Sequence, residues 1–240
     1  MMPLLLHGVL DASIAEGLPR AALREAAGRA VEVVPTGGLA AVVSHSEADE
    51  AVPSRANLMA HTRLLELLGE RTTVAPMRFG VIAADHEAVR AELATRGSQL
   101  REVLQRLEGH LELRLRGRYE QDAVLREVLA GDRRAASLRG ATSVEARMEL
   151  GERIVAGIEA RRDADRHQVL QRLEAHVADV VVGDVSEPLD AFSVSLLVAR
   201  SATGDFEQEL EAVGRESAPV LGLELVGPVP PFSFVDVEAG

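Results

Sequence analysis

Histidines and carboxylates are the side chains of this chain that could support acid–base or metal chemistry. The chain has seven histidines, and the best-spaced set of such groups is Asp163, Asp165 and His167. Two histidines four residues apart on a helix would offer metal ligands on one face, but residues two apart on a helix point in different directions. The spacing therefore favours a solvated helix face, and no metal or other cofactor is expected.

His61 is the second candidate, because it falls on the apolar face of a predicted helix with Leu58, Leu65 and Leu68. It could be a buried base or contact residue, or a core histidine whose ring nitrogens are satisfied by the backbone or a carboxylate. The core interpretation is favoured, because the sequence places no serine or acid beside His61. No glycine-rich phosphate loop or glycine elbow for a nucleophilic serine occurs either. The residues therefore predict no catalytic set.

The composition excludes several classes of protein. The chain has 240 residues, a net charge of −12 and no cysteine, which excludes disulfides and thiolate metal sites. All 26 basic residues are arginine, so that a Walker or Schiff-base lysine is also excluded. The net negative charge argues against nucleic acid or an anionic membrane as a partner. Neither a signal peptide nor a membrane-spanning apolar stretch is recognisable, and a cytoplasmic location is expected.

The first half of the chain predicts the order strand, helix, strand, strand, helix, strand. A hairpin is indicated by two β-branched runs that flank Pro35-Thr36-Gly37-Gly38. An acidic loop, Glu47 to Glu50, precedes the second helix. The predicted elements are a strand at Pro3 to Leu10, a helix at 19–29, strands at Val31 to Val34 and Leu39 to Val43, a helix from Ser54 to Gly69, and a strand at Thr72 to Ala75.

The second half predicts the same order after a connecting helix at residues 85–109, for which Asp85 is the expected N-cap. In the strand from His110 to Arg118 charged residues alternate with leucines, which predicts one apolar and one charged face. Thr142-Ser-Val-Glu145 matches a capping box that begins a long helix. The elements that follow are this helix to about His176, strands at Val180 to Val182 and Phe192 to Val198, a helix at Phe206 to Arg215, and a strand at Val220 to Val226.

Both halves therefore predict an α+β fold of two domains, each ferredoxin-like, with a split βαβ arrangement and an antiparallel sheet with helices on one side. The predicted boundaries are 1–84 for the N-terminal α+β domain, 85–109 for the connecting helix and 110–240 for the C-terminal ferredoxin-like domain. On the charged face of the 110–118 strand, Arg114, Arg116 and Arg118 form a ladder. The ladder is interpreted as part of the solvent-exposed face of the sheet, with Glu224 as a cross-strand neighbour. The alternative interpretation is a docking surface for an acidic partner protein.

Two short segments hold three of the five phenylalanines of the chain. They are Thr73-Val-Ala-Pro-Met-Arg-Phe-Gly80 and Gly227-Pro-Val-Pro-Pro-Phe-Ser-Phe-Val235. Together with the helix His61-Thr-Arg-Leu-Leu-Glu-Leu-Leu68, they resemble the gas vesicle protein L/F family (GvpL/GvpF) in order and spacing. The family often has tyrosine or tryptophan near the first strand and in the closing motif, where this chain has Leu4-Leu5-Leu6-His7, Val229 and Phe232.

The resemblance implies an accessory protein of gas vesicle assembly rather than an enzyme. Such a protein is expected to bind the hydrophobic major shell protein, to limit its aggregation, and to be associated with the gas vesicle as a minor component, with other accessory proteins as further partners. The residues that the resemblance marks as partner contacts, or alternatively as structural motif residues, are His61, Pro76, Met77, Arg78, Phe79, Gly80, Gly227, Pro228, Pro230, Pro231, Phe232 and Phe234. An alternative hypothesis is a small-molecule sensor or enzyme built on paired ferredoxin-like domains, with His61 and Arg78 in a cleft.

Overall fold

The computed structural model describes residues 3–46 and 53–235, which form two compact units. The first unit runs to Glu112 and includes the segment from Pro228 onward, whereas the second runs from Leu113 to Gly227. These limits differ from the predicted boundaries in two ways, because both residues 85–109 and the closing segment belong to the first unit. The predicted acidic loop, Glu47 to Glu50, lies outside the described residues.

The first unit contains an antiparallel sheet with the order β2-β3-β1-β4, in which β5 also pairs with β1. A 3-10 helix, Ala12–Gly17, follows the first strand. The strands and helices are β1 (Leu4–Asp11), α1 (Arg20–Ala27), β2 (Val31–Thr36), β3 (Leu39–His45), α2 (Arg55–Gly69), β4 (Ala75–Pro76), β5 (Ile82–Ala83), α3 (His86–Thr95) and α4 (Gly97–Leu107).

The leucines and Val9 of β1 are all buried because helices cover both faces of its sheet. On one face Leu10 packs in a cluster with Leu23 and Leu64 of α1 and α2. On the other face Leu6 packs with Val89 and Leu93 of α3. The two helices predicted for the N-terminal domain, α1 and α2, therefore share one face of the sheet, and the stretch predicted as a connector covers the second face.

Local capping explains where α2 and α3 begin. Ser54 caps α2 by accepting a hydrogen bond from the Asn57 amide at 3.1 Å, and Asp85 caps α3 in the same way, as expected. The predicted 85–109 helix is broken at Arg96 into α3 and α4. Leu58, expected on the inner face of α2, is 44% exposed, and Leu64 is buried with Leu65 instead.

The second unit contains a four-stranded sheet with the order β7-β8-β6-β9. Two helices at residues 121–138 are absent from the sequence prediction, and Ser143 rather than Thr142 caps the long helix. The strands and helices are β6 (His110–Tyr119), α5 (Gln121–Gly131), α6 (Arg133–Leu138), α7 (Val144–Leu173), β7 (Val177–Gly183), β8 (Asp190–Ala199), α8 (Thr203–Ser217) and β9 (Leu221–Val229).

The alternation predicted for β6 is present from Leu113 to Arg118, where leucines are buried and arginines are exposed. Strand β9 is next to β6, as expected, and Arg118 forms its ion pair with Glu187 at 3.2 Å. The prediction fails at Glu112, which is fully buried.

The structure confirms the α+β class with two antiparallel sheets, and each sheet has its first strand between the third and the fourth. Within residues 3–46 and 53–235, no helix has the length and apolar character needed to cross a bilayer.

Candidate functional site

The Pro76 to Gly80 motif ends strand β4 and forms most of a bulge, Met77 to Val81, at the edge of the first sheet. Strands β4 and β5 both pair with β1, and the residues between them leave the sheet. Two backbone hydrogen bonds of 2.9 Å close this bulge, from the Met77 amide to the His7 carbonyl and from the Leu6 amide to the Val81 carbonyl. Gly80 has a φ of +101°, which favours glycine. Bulges of this kind redirect side chains, and here Arg78 becomes exposed.

A second irregularity, in β1, places the histidine that anchors this bulge. The register between β1 and β3 shifts between Leu6 and Gly8, so that His7 is an extra residue in the strand. The Nδ1 atom of His7 lies 2.8 Å from Nδ1 of His61, and its Nε2 lies 2.8 Å from the Ser44 hydroxyl. The Nε2 atom of His61 lies 2.9 Å from the carbonyl oxygen of Met77.

These distances fix the tautomers of both rings. The Met77 carbonyl only accepts, so that His61 carries its proton on Nε2 and accepts at Nδ1. His7 must then donate from Nδ1, and its Nε2 accepts the proton of the Ser44 hydroxyl. The result is a directional chain of hydrogen bonds from β3 through β1 and α2 to the bulge.

Both imidazoles are neutral. Burial is the main reason that the pKa of His7 falls from 6.5 to about 3, and the repulsion that a protonated His7 would meet from a protonated His61 and from Arg29 lowers it further. Burial also lowers the pKa of His61, and the hydrogen bond to Met77 offsets part of this effect. Each side chain is 3% exposed. His61 therefore matches the interpretation of a core histidine with satisfied nitrogens, and it holds the motif in place.

The closing segment is anchored beside the same histidine. Glu112, fully buried, accepts hydrogen bonds from the Ser233 amide at 3.0 Å and from its hydroxyl at 2.8 Å. Arg106 donates to the carbonyl oxygen of Phe234. The Phe232 ring stacks on His61 with 6.1 Å between ring centroids. Because Phe79 meets His61 edge-on at 5.5 Å, the two motif segments converge on one imidazole.

An open groove of about 880 Å³ lies next to this cluster, within the first unit. Its base is strand β1, and its walls come from the bulge, from α3 and α4, and from the closing segment. At its edge, Arg78 forms no hydrogen bond or ion pair within the part of the chain that the structure describes. The lining residues are Leu6, Val9, Pro76, Met77, Arg78, Val81, Glu92, Leu93, Arg96, Gln99, Leu100, Phe232 and Val235.

The twelve residues singled out in the sequence have different environments. His61, Pro76, Pro230 and Phe234 are buried, and Met77, Phe79, Pro231 and Phe232 are half-buried. Arg78, Gly80 and Pro228 are exposed in the first unit. Gly227 is exposed at the end of the second unit, with a φ of +145°.

Sequence reasoning missed His7, Ser44 and Glu112. A histidine inside the otherwise apolar Leu4–Leu10 run was a signal for His7, whereas nothing local distinguished Ser44 or Glu112. Asp165 accepts hydrogen bonds from Tyr119 at 2.9 Å and Arg161 at 3.0 Å. Within residues 3–46 and 53–235, no three histidines or carboxylates are placed to hold a metal ion.

Comparison with known proteins gives a consistent result over nearly the whole chain. Residues 4–236 match the family model described as gas vesicle synthesis protein GvpL/GvpF. Gas vesicle protein F of Streptomyces sp. (strain CB03234) is 34% identical over 212 residues, which cover 86% of this chain and 88% of that protein. The crystal structure of GvpF from Anabaena sp. PCC7120 superimposes with a TM-score of 0.81 at 19% identity, covering 100% of this chain and 98% of that one. GvpF from Microcystis aeruginosa gives 0.80 at 20% identity, with 99% and 100% coverage.

Proposed function

Because the chain belongs to the GvpL/GvpF family of gas vesicle synthesis proteins, we propose that it is a non-enzymatic assembly factor. It binds the major gas vesicle shell protein and limits its aggregation before incorporation. In this proposal it acts in the cytoplasm, contacts other gas vesicle accessory proteins, and stays with the vesicle as a minor component.

One observation carries the proposal: the two motif segments meet at one groove of the first unit. A binder of an aggregation-prone helix or strand needs a groove with exposed apolar side chains, and this groove offers them beside the polar residues Glu92, Arg96 and Gln99. Met77 and Phe232 supply adaptable apolar contact on its wall. Arg78 is available at the edge for a carboxylate of the partner.

The charge of the chain supports the same proposal. A partner held in the groove shares the net charge of −12, which keeps a complex with a hydrophobic protein in solution. The alternative of an enzyme or sensor that uses His61 is disfavoured, because this ring is buried and its nitrogens bind His7 and Met77.

Co-expression with the major shell protein tests the proposal, with soluble yield and pull-down at moderate salt as readouts. We expect the chain to raise the soluble yield and to capture the shell protein. Arg78→Ala should weaken capture about tenfold, which corresponds to about 1.4 kcal/mol for one lost charge contact. Gln99→Trp should block the groove, since Gln99 lines it from α4.

Two variants outside the groove lining serve as matched controls. Arg90→Ala removes an exposed arginine of α3, and Ser98→Trp adds a bulky side chain at an exposed position next to Gln99. Both should retain capture. Loss of capture in the controls as well, or no capture by the wild-type chain, would count against the proposal.

A further inference from the structure

Helix α7 exposes an apolar stripe in the second unit. Val144, Met148 and Val155 are 66%, 62% and 56% exposed, respectively. Gly151 completes the series at intervals of four, three and four residues, which is the spacing of alternating a and d positions in a coiled coil. The stripe therefore has the pattern of a helix seam with no covering partner in the described chain.

The other side of α7 is fully engaged. It packs on α5 and α6, where Gly157 lies against Val128. Its charges there are paired, with Arg153 at 3.0 Å from Asp132 and Glu149 at 2.7 Å from Arg134. The helix is thus held rigidly with its stripe outward, which lowers the entropic cost of binding along it.

Unlike the paired charges on the packed side of α7, two charged residues beside the stripe form no ion pair in the described chain. Arg147 and Glu152 lie on its two flanks, are exposed, and have no ion-pair partner within residues 3–46 and 53–235. With Met148 and Val155 at a positions, Arg147 is at g and Glu152 at the following e. In a parallel pair of helices, a g residue meets the e residue that lies five positions later on the other helix.

We propose that the stripe is covered by α7 of a second copy of this chain, in a parallel, in-register pair. Val144, Met148 and Val155 form the apolar seam, Gly151 allows close approach of the backbones, and Arg147 of each copy pairs with Glu152 of the other. The seam spans about 16 Å of helix, so the dimer is reversible. It uses the second unit and does not depend on the groove of the first.

Sedimentation velocity of the full chain over a concentration series tests the pairing. We expect a monomer–dimer equilibrium, and Met148→Glu should raise the dissociation constant by at least about tenfold. Met59→Glu is the control, because Met59 is also exposed, at 43%, but lies on α2 of the first unit. A wild type that stays monomeric, or equal effects of the two variants, would overturn the proposal.

Charge reversal tests the register. Arg147→Glu and Glu152→Arg should each weaken the homodimer, because two like-charge contacts replace two ion pairs. An equimolar mixture of these variants should dimerise again, since both contacts of the heterodimer are attractive. An antiparallel pair, or a different partner for the stripe, would give no recovery in the mixture and would overturn the proposal. Arg133→Glu, on α6, should have no effect on any of these measurements.

Discussion

Acid should destabilise the first unit through His7. The folded chain keeps this imidazole neutral, with its pKa lowered from 6.5 to about 3, whereas the unfolded chain binds a proton near the ordinary value. The contribution of the neutral His7 to the free energy of unfolding is therefore fully present above the pKa of the unfolded chain. It is lost as the pH drops through 6.5 toward the pKa of the folded chain. The difference between the two pKa values of His7 corresponds to about 5 kcal/mol of unfolding free energy. About 2 kcal/mol of this is lost between about pH 8 and about pH 5.

Urea unfolding of the wild type and of His7→Asn, followed by circular dichroism, measures this loss. The asparagine amide can donate to His61 as Nδ1–H does, but it takes up no proton. The variant should be less stable at neutral pH, since it loses the contact with Ser44. The difference in unfolding free energy between the wild type and His7→Asn should be smaller by about 2 kcal/mol at about pH 5 than at neutral pH.

His167→Asn, at an exposed histidine of α7, is the control and should show no such narrowing. The titration of His7 can also be followed directly by side-chain NMR, which should find the Nδ1–H tautomer at His7 and the Nε2–H tautomer at His61. The assignment of His7 and His61 as a neutral buried pair would be refuted by either of two results. One is a stability difference between the wild type and His7→Asn that does not change with pH, and the other is a His7 that titrates near 6.5 in the folded chain.

Two further predictions concern packing and anchoring. Gly157→Ala would place a Cβ 2.5 Å from Val128 on α5 and should cost about 1–3 kcal/mol by overpacking, measured by thermal unfolding. Val128→Ala should recover much of that loss in the double variant, whereas Gly214→Ala, with open space in α8, should stabilise by up to about 1 kcal/mol. Glu112→Ala removes both hydrogen bonds to Ser233 and should raise hydrogen exchange across residues 228–235. Ser233→Ala, which removes only the hydroxyl contact, should raise hydrogen exchange less. Equal protection of these amides against exchange in the two variants would contradict the anchoring role of Glu112.

Local signals predicted much of the fold. The apolar run of β1, the glycine turn between β2 and β3, and the caps at Ser54 and Asp85 each depend on a few neighbouring residues. The bulge at Met77 to Val81 depends instead on pairing with β1, so it does not follow from strand periodicity. The break at Arg96, next to Gly97, interrupts a stretch in which the apolar helical pattern continues, so it does not follow from helix periodicity either.

The site was less accessible to sequence reasoning than the fold. The motif residues could be recognised, but their meeting at His61 depends on contacts between parts of the chain that are distant in sequence. The burial of Glu112 has the same origin. Alternation in β6 predicts an exposed carboxylate, and only the return of Ser233 to this strand gives it two buried donors.

The first unit is built from both ends of the chain, with the second unit inserted between Glu112 and Pro228. During synthesis the N-terminal residues emerge first, and domains generally fold as they become available. Phe232 and Val235, which line the groove, emerge only after the whole second unit has been synthesised. The groove is consequently completed late, and a chain that stops before Pro228 lacks these two parts of its wall. The order of the chain thereby couples a complete groove to the prior synthesis of the second unit.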